Sequence, residues 1–173
     1  VPISISGSLP RSGALLHTVR AVGTVSRALV RLGRGEWVGI RGPFGSAWPI
    51  EEAYGSDVLL AAGGLGLAPL RPVLHAVLAK RERYGRVVLL YGARSPQEIL
   101  FHRELEASRR RLDVQIEVTV DHATGAWHGN VGVVTGLVRR APFDARHCVA
   151  MICGPEIMMR FAVAALREAG LPD

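Results

Sequence analysis

A chain of 173 residues suffices for one ordinary domain or for two small lobes around a cleft. Hydrophobic residues make up 49% and charged residues 21%, which excludes a disordered or low-complexity chain. The net charge is +6, but the arginines are scattered and aromatics reach only 6%, so the basic stripe interleaved with aromatics that binds nucleic acid is missing. Lys80 is the single lysine, and no Gly-Lys-Ser/Thr phosphate loop exists. Two cysteines cannot make a disulfide framework, which points to a reducing interior. The longest uncharged apolar stretch, residues 58–70, is too short to span a bilayer and is interrupted by glycines and a proline, so no membrane insertion is expected. No basic segment followed by an apolar run opens the chain as a signal peptide would. Both ends read as cut: the chain starts inside an alternating run, and its last helix has no strand to return to.

In chain order, the first part is β-rich. Ile3 and Ile5 alternate with Ser4 and Ser6 in one strand, residues 15–22 give a second, and residues 36–41 a third. Between the last two, Val25, Ala28, Leu29 and Leu32 fall on one face of a short helix that Gly33 and Gly35 end. Gly42-Pro43-Phe44-Gly45 then breaks regular structure. After Asp57 the rhythm changes to buried strands alternating with helices. Strands are expected at 58–62, 86–91, 114–120 and 148–152, and helices at 68–83, 97–111, 134–140 and 155–168. That alternation specifies an α/β fold with a parallel sheet flanked by helices and right-handed crossovers. The boundary between residues 1–48 and residues 55–173 falls near Trp48 to Gly55.

Three turns carry the chemistry. Gly63, Gly64, Leu65, Gly66, Leu67, Ala68 and Pro69 join the first buried strand to its helix. Glycines there let a diphosphate approach the backbone, and the helix N-terminus adds free N–H groups and a partial positive charge. The usual dinucleotide fingerprint is incomplete, because Pro69 occupies the third glycine position. No carboxylate closes the second strand, which ends Tyr91, Gly92, Ala93, Arg94. The fourth strand ends Cys153, Gly154, Pro155, Glu156. Ligands of open parallel sheets bind at the carboxyl ends of strands, so these three turns should share one cleft. Taken alone, the glycine loop and the Cys-Gly-Pro turn each also read as a tight strand-to-helix connection, the second more readily than the first.

Together these turns resemble the nicotinamide-binding domain of the ferredoxin reductase superfamily. Pro2-Ile3-Ser4-Ile5-Ser6, Gly23-Thr24-Val25-Ser26, Arg41-Gly42-Pro43-Phe44-Gly45 and the Ala-Pro-Leu-Arg-Pro of 68–72 are similar, more narrowly, to the FAD/NAD(P)-binding gamma subunits of sulfhydrogenase-type nickel–iron hydrogenases. Electron-transfer subunits of sulfite reductase and dihydroorotate dehydrogenase share much of the pattern. The resemblance implies a four-strand order of 3-2-1-4, preceded by part of an antiparallel FAD-binding β-barrel over residues 1–48. In that lobe Pro2, Ser4, Ile5 and Ser6 would run along the flavin ring, and Gly23, Thr24, Val25 and Ser26 would face the FAD pyrophosphate. NAD(P)H would lie with its diphosphate on residues 63–69, its adenosine end on Tyr91, Gly92, Ala93 and Arg94, and its nicotinamide beside Cys153 and Gly154, with Pro155 and Glu156 opening the next helix. Cys153 is the candidate catalytic residue. Where many members have an arginine and an aromatic, this chain has Val1 and Ile3.

The implied function is hydride transfer between NAD(P)H and FAD, with electrons passed on to an iron–sulfur or hydrogenase subunit in the cytoplasm. Arg94 suits a 2′-phosphate, yet arginine here also occurs in members that use NADH, and NAD is favoured. Cys148 and Cys153 do not make an iron–sulfur ligand set, since four thiolates are normal and these two lie on opposite faces of an extended segment. The electron acceptor is therefore expected elsewhere, and an incomplete barrel should expose an apolar face that favours self-association or a partner. A non-catalytic nucleotide-binding or assembly subunit of a larger redox complex is the alternative.

Overall fold

The computed structural model describes residues 1–9, 13–123 and 125–172. Strands β1 (Ile5–Leu9) and β2 (Ala14–His17) pair antiparallel, and helix α1 (Thr24–Arg31) follows. The α1 start is closed by Ser26, whose hydroxyl accepts from the Gly23 N–H (2.9 Å) and the Val22 N–H (3.1 Å). The second strand stops at His17 instead of running to residue 22. Residues 36–41, expected as a third strand, are irregular and exposed, with Trp37 96% and Ile40 66% accessible. Their alternation is real, but a strand exists only by pairing, and this segment finds no strand partner among the described residues.

The second part is a sheet with helices on both faces. In chain order come β3 (Asp57–Gly63), α2 (Leu67–Ala79), β4 (Val87–Ala93), α3 (His102–Arg109), β5 (Gln115–Val120), β6 (Asn130–Val131), α4 (Thr135–Val138), β7 (Cys148–Cys153) and α5 (Glu156–Glu168). The five strands are parallel in the order β6-β5-β4-β3-β7. The four expected strands thus take the order 3-2-1-4, and the two-residue β6 extends one edge. The helix expected over 97–111 is split, because Phe101 adopts a left-handed conformation (φ 52°) and α3 starts only after it.

Successive residues of β3 point to opposite faces, so its apolar run feeds two cores. Val58, Leu60 and Ala62 pack with Leu70, Val73 and Leu74 of α2 and with Leu105 of α3. Leu59 and Ala61 pack with Leu137 and Val138 of α4 and with Ala165 and Leu166 of α5. All five of these β3 residues are fully buried, and each buried leucine is worth about 1.5–3 kcal/mol. Among the described residues no helix is long and apolar enough to cross a membrane.

Helices α2 and α3 are also tied by charge. The Glu104 carboxylate accepts from the Arg71 guanidinium (2.9 Å) and lies 2.7 Å from His75 Nε2. Burial pushes the Glu104 carboxyl up, but the hydrogen bonds from Arg71 and His75 outweigh it and hold the group below the usual glutamate range. A depressed folded pKa gives stability that is present above the ordinary glutamate value, about 4.3, and lost as pH falls through the lower folded value. Glu104→Gln should therefore flatten the acid limb of a melting-temperature profile. An unchanged acid limb would mean that other carboxylates carry it.

Candidate functional site

The carboxyl ends of β3, β4 and β7 open onto one cleft of about 1200 Å³, whose other wall is built by the first residues of the chain and the segment around α1. Of the residues expected at a site, Pro2, Ser4, Gly23, Thr24, Val25, Ser26, Gly63, Gly64, Leu65, Gly66, Ala68, Pro69, Gly92, Ala93, Arg94, Cys153, Gly154 and Pro155 line it. The three turns do converge.

Their glycines serve different ends. Gly64 sits at φ 52° with open space around its Cα, so it is required for conformation. Gly66 is required for contact: a Cβ there would fall inside the Cys153 carbonyl group and 2.7 Å from the Gly154 nitrogen. A Cβ on Gly154 would in turn lie 3.1 Å from the Gly63 Cα. The turns after β3 and β7 therefore pack closely, backbone against backbone at Gly66 and against the Met158 side chain at Gly63 and Gly154. Pro69 lies in the first turn of α2 and lacks the N–H that would go unbonded there, while its carbonyl accepts from the Trp48 indole (3.1 Å).

Five expected residues are absent from the cleft lining. Tyr91 is fully buried in the core beneath α2, and its hydroxyl accepts from the Leu100 N–H (3.2 Å). Its side chain joins that core, whereas Gly92 and Ala93, at the carboxyl end of β4, line the cleft. Leu67 is likewise core, 2% exposed. Ser6 is buried, donating to the Leu16 carbonyl (3.2 Å) and accepting from the Thr18 hydroxyl (2.9 Å). Ile5 pairs with His17 across the β1–β2 ladder, and Glu156 faces the opposite side of α5, 3.6 Å from Arg160.

Burial pushes the Cys153 thiol up, and the Cys148 thiol is pushed up to about 12 by burial and then by the nearby Asp57 carboxylate. Both stay protonated at neutral pH. Cys153 therefore presents a neutral, polarizable thiol and not a nucleophile.

Several lining residues carry no sequence motif. Arg20 and Glu98 form an ion pair (3.1 Å) that joins the α1 wall to the turn after β4. With both side chains well exposed, such a pair is worth about 0–1 kcal/mol. Asp121 follows β5, where its N–H donates to the Ala93 carbonyl and the His122 N–H donates to the Arg94 carbonyl, both at 3.0 Å. A carboxylate thus closes the third strand, beside Arg94, where the second strand lacks one. Ile157 and Phe161 are 60% and 61% exposed and lie one helical turn apart on α5 next to Cys153-Gly154-Pro155. That spacing is their one sequence signal.

Residues 60–164 match the family model of the oxidoreductase NAD-binding domain. The chain belongs to that family. The NAD-binding match takes in all three turns, while the wall formed by residues 1–26 lies outside it. Over 98% of its length the chain is 34% identical to sulfhydrogenase 2 subunit gamma of Pyrococcus furiosus, covering 62% of that protein. It is 38% identical over 89% of its length to the probable dihydroorotate dehydrogenase B (NAD(+)) electron transfer subunit of Methanocella arvoryzae, covering 54% of it. The chain thus spans about half to three-fifths of the length of these relatives. Among solved structures, an NADH-dependent reduced ferredoxin-NADP oxidoreductase superposes with a TM-score of 0.78 at 28% identity, over 99% of this chain and 58% of that one. The cytochrome b5 reductase domain of Ulva prolifera nitrate reductase gives 0.73 at 27% identity, over 87% and 61%. The NAD-binding sheet and the small antiparallel lobe before it form a ferredoxin reductase-like fold.

Proposed function

We propose that the chain is the nucleotide-handling part of a flavin oxidoreductase that moves hydride between NADH and FAD held together in the one cleft. The observation that carries this reading is the two-walled cleft itself. One wall is made of glycine-rich strand-end turns, and the other of the first residues of the chain and the N-terminus of α1. The relatives named as sulfhydrogenase gamma and electron transfer subunits support it.

In this reading residues 1–48 serve FAD and residues 55–173 serve the nicotinamide cofactor. The residues fit both groups. The first-turn amides of α2 and the bare Gly63, Gly64 and Gly66 backbone hold the NADH diphosphate. At α1 the Gly23 amide is already spent on Ser26, so the amides of Thr24 and Val25 face the FAD pyrophosphate. Pro2 and Ser4 flank the flavin ring. FAD, when bound, supplies a two-electron acceptor that can release electrons singly, and the protein supplies orientation and exclusion of water. Cys153 would meet the nicotinamide with a neutral thiol, with no proton to move. The electrons would pass to an iron–sulfur or hydrogenase partner subunit in the cytoplasm.

Asp121 makes the cofactor preference specific. Its carboxylate repels a 2′-phosphate at the adenosine end, which offsets the attraction of Arg94 and favours NADH. Asp121→Asn should raise kcat/KM with NADPH relative to NADH about tenfold, equivalent to about 1.4 kcal/mol. A ratio left unchanged in steady-state assays would remove Asp121 from the adenosine site.

The overall reading is tested by the absorption spectrum of the chain titrated with FAD, followed by anaerobic NADH. Bound flavin whose visible bands bleach with NADH is the expected result. Failure to bind FAD or to bleach would favour a non-catalytic assembly subunit. The exposed Trp37 and Phe44 give that second reading its one observation, because they leave the small lobe with an apolar surface for self-association or a partner.

A further inference from the structure

One arginine outside the cleft touches both of the units that build its walls. Arg71 stands in the second turn of α2, and its side chain is only 18% exposed. Its Nε donates to both oxygens of Glu104 (3.1 and 2.9 Å), and Nη2 lies 2.8 Å from the same carboxylate. Its Nη1 donates to the Ser6 carbonyl of β1 at 2.8 Å. The guanidinium lies over the Phe101 ring, 4.8 Å from the centroid. Phe101 is the residue in left-handed conformation, and its carbonyl accepts from the Glu104 and Leu105 N–H groups (2.9 and 3.0 Å), setting the start of the helix that carries Glu104. Such conformations cost free energy and persist where the surroundings over-determine them. Strand β1 makes room as well: a Cβ on the buried Gly7 would lie 2.7 Å from Arg71 Nη1.

We infer that Arg71 is a positioning residue, a strut that fixes strand β1 against helix α2 and so sets the separation of the two cofactor walls. The inference rests on the reading of the cleft as a shared FAD and NADH site. Helix α2 starts at the glycine turn that would hold the NADH diphosphate, and β1 continues directly from Ser4, which would flank the flavin. Hydride transfer is sensitive to such spacing, a misplacement of about 1 Å costing on the order of 100-fold. Only a planar fork can reach Glu104 and the Ser6 carbonyl at once. Lysine, a point charge, keeps one of the two contacts.

Two variants test the strut. Arg71→Lys keeps the charge and loses the fork. Gly7→Ala keeps every charged group and displaces only Nη1, the tip of a flexible side chain, with Leu16 Cδ1 next nearest at 3.2 Å. In both, hydrogen–deuterium exchange of the β1 amides should rise several-fold while that of α2 stays at the wild-type level. With FAD bound, flavin reduction at saturating NADH should slow about tenfold or more, the long-wavelength nicotinamide–flavin charge-transfer band should weaken, and the KM for NADH should hold. Unchanged β1 exchange in Gly7→Ala overturns the strut, even if Arg71→Lys fails to fold. Raised exchange with an unchanged reduction rate overturns its role in positioning. Raised exchange in a chain that binds no flavin in wild-type form overturns the functional reading and leaves Arg71 as a purely structural tie.

Discussion

Gly66→Ala should be the most damaging single-methyl change in the chain. The added Cβ meets the Cys153 carbonyl and the Gly154 nitrogen, which are backbone atoms and cannot rotate aside. Either the turn after β3 or the end of β7 must move, at a cost of about 3 kcal/mol for overpacking of this kind. For a chain of this size that lowers the melting temperature by roughly 6–12 °C. NADH binding should weaken at least about tenfold, because the displaced turn is the floor of the cleft. Gly64→Ala is the control: its Cβ meets nothing, and only the left-handed backbone is penalised, by about 1–2 kcal/mol. Thermal melts and NADH titrations of the two variants decide the matter. Equal losses would mean that the backbone contact between the turns is not what holds the cleft.

The second large effect belongs to Tyr91. Its ring is fully buried between β4 and the helices above it, so Tyr91→Ala should cost about 3–5 kcal/mol. Tyr91→Phe keeps the ring and leaves the Leu100 N–H without its acceptor, for about 1–3 kcal/mol. Neither loss is a binding effect. The folded fraction of Tyr91→Phe should titrate with NADH as the wild type does. A several-fold change in affinity at unchanged stability would return this side chain to the cofactor site.

Tyr91 also shows where sequence reading stops. The turn at the end of β4 is legible, because a buried parallel strand reads as a continuous apolar run and its Gly-Ala-Arg ending stands out. Which side of the sheet each residue of that turn takes is set by register and by what covers each face. Asp121 was hidden for a related reason. A carboxylate beside the end of β4 is visible only once β5 is known to lie next to it, and the second strand alone suggests that none exists. The two-residue β6 is too short to have a period. Residues 36–41 show the opposite case, a good local alternation with no neighbour to make it a strand. The break at Phe101 lies in a stretch whose apolar spacing still reads as helix, and only the backbone angle reveals it. The Arg20–Glu98 and Arg71–Ser6 contacts depend wholly on tertiary placement.

The strand order has a consequence for how the cleft comes into being. Strand β3 pairs on one side with β4, its neighbour in the chain, and on the other with β7, where Asp57 meets Cys148. Strands β3, β4 and β5 can assemble through short crossovers, whereas docking β7 closes a long loop and carries a larger entropic barrier. The seat of Gly66 is the backbone of Cys153 and Gly154, at the far end of that last strand. A nascent chain therefore holds most of its sheet before it holds the floor of the cleft. Binding competence should arrive late and abruptly, with β7, and refolding followed by NADH binding should lag behind refolding followed by helix content.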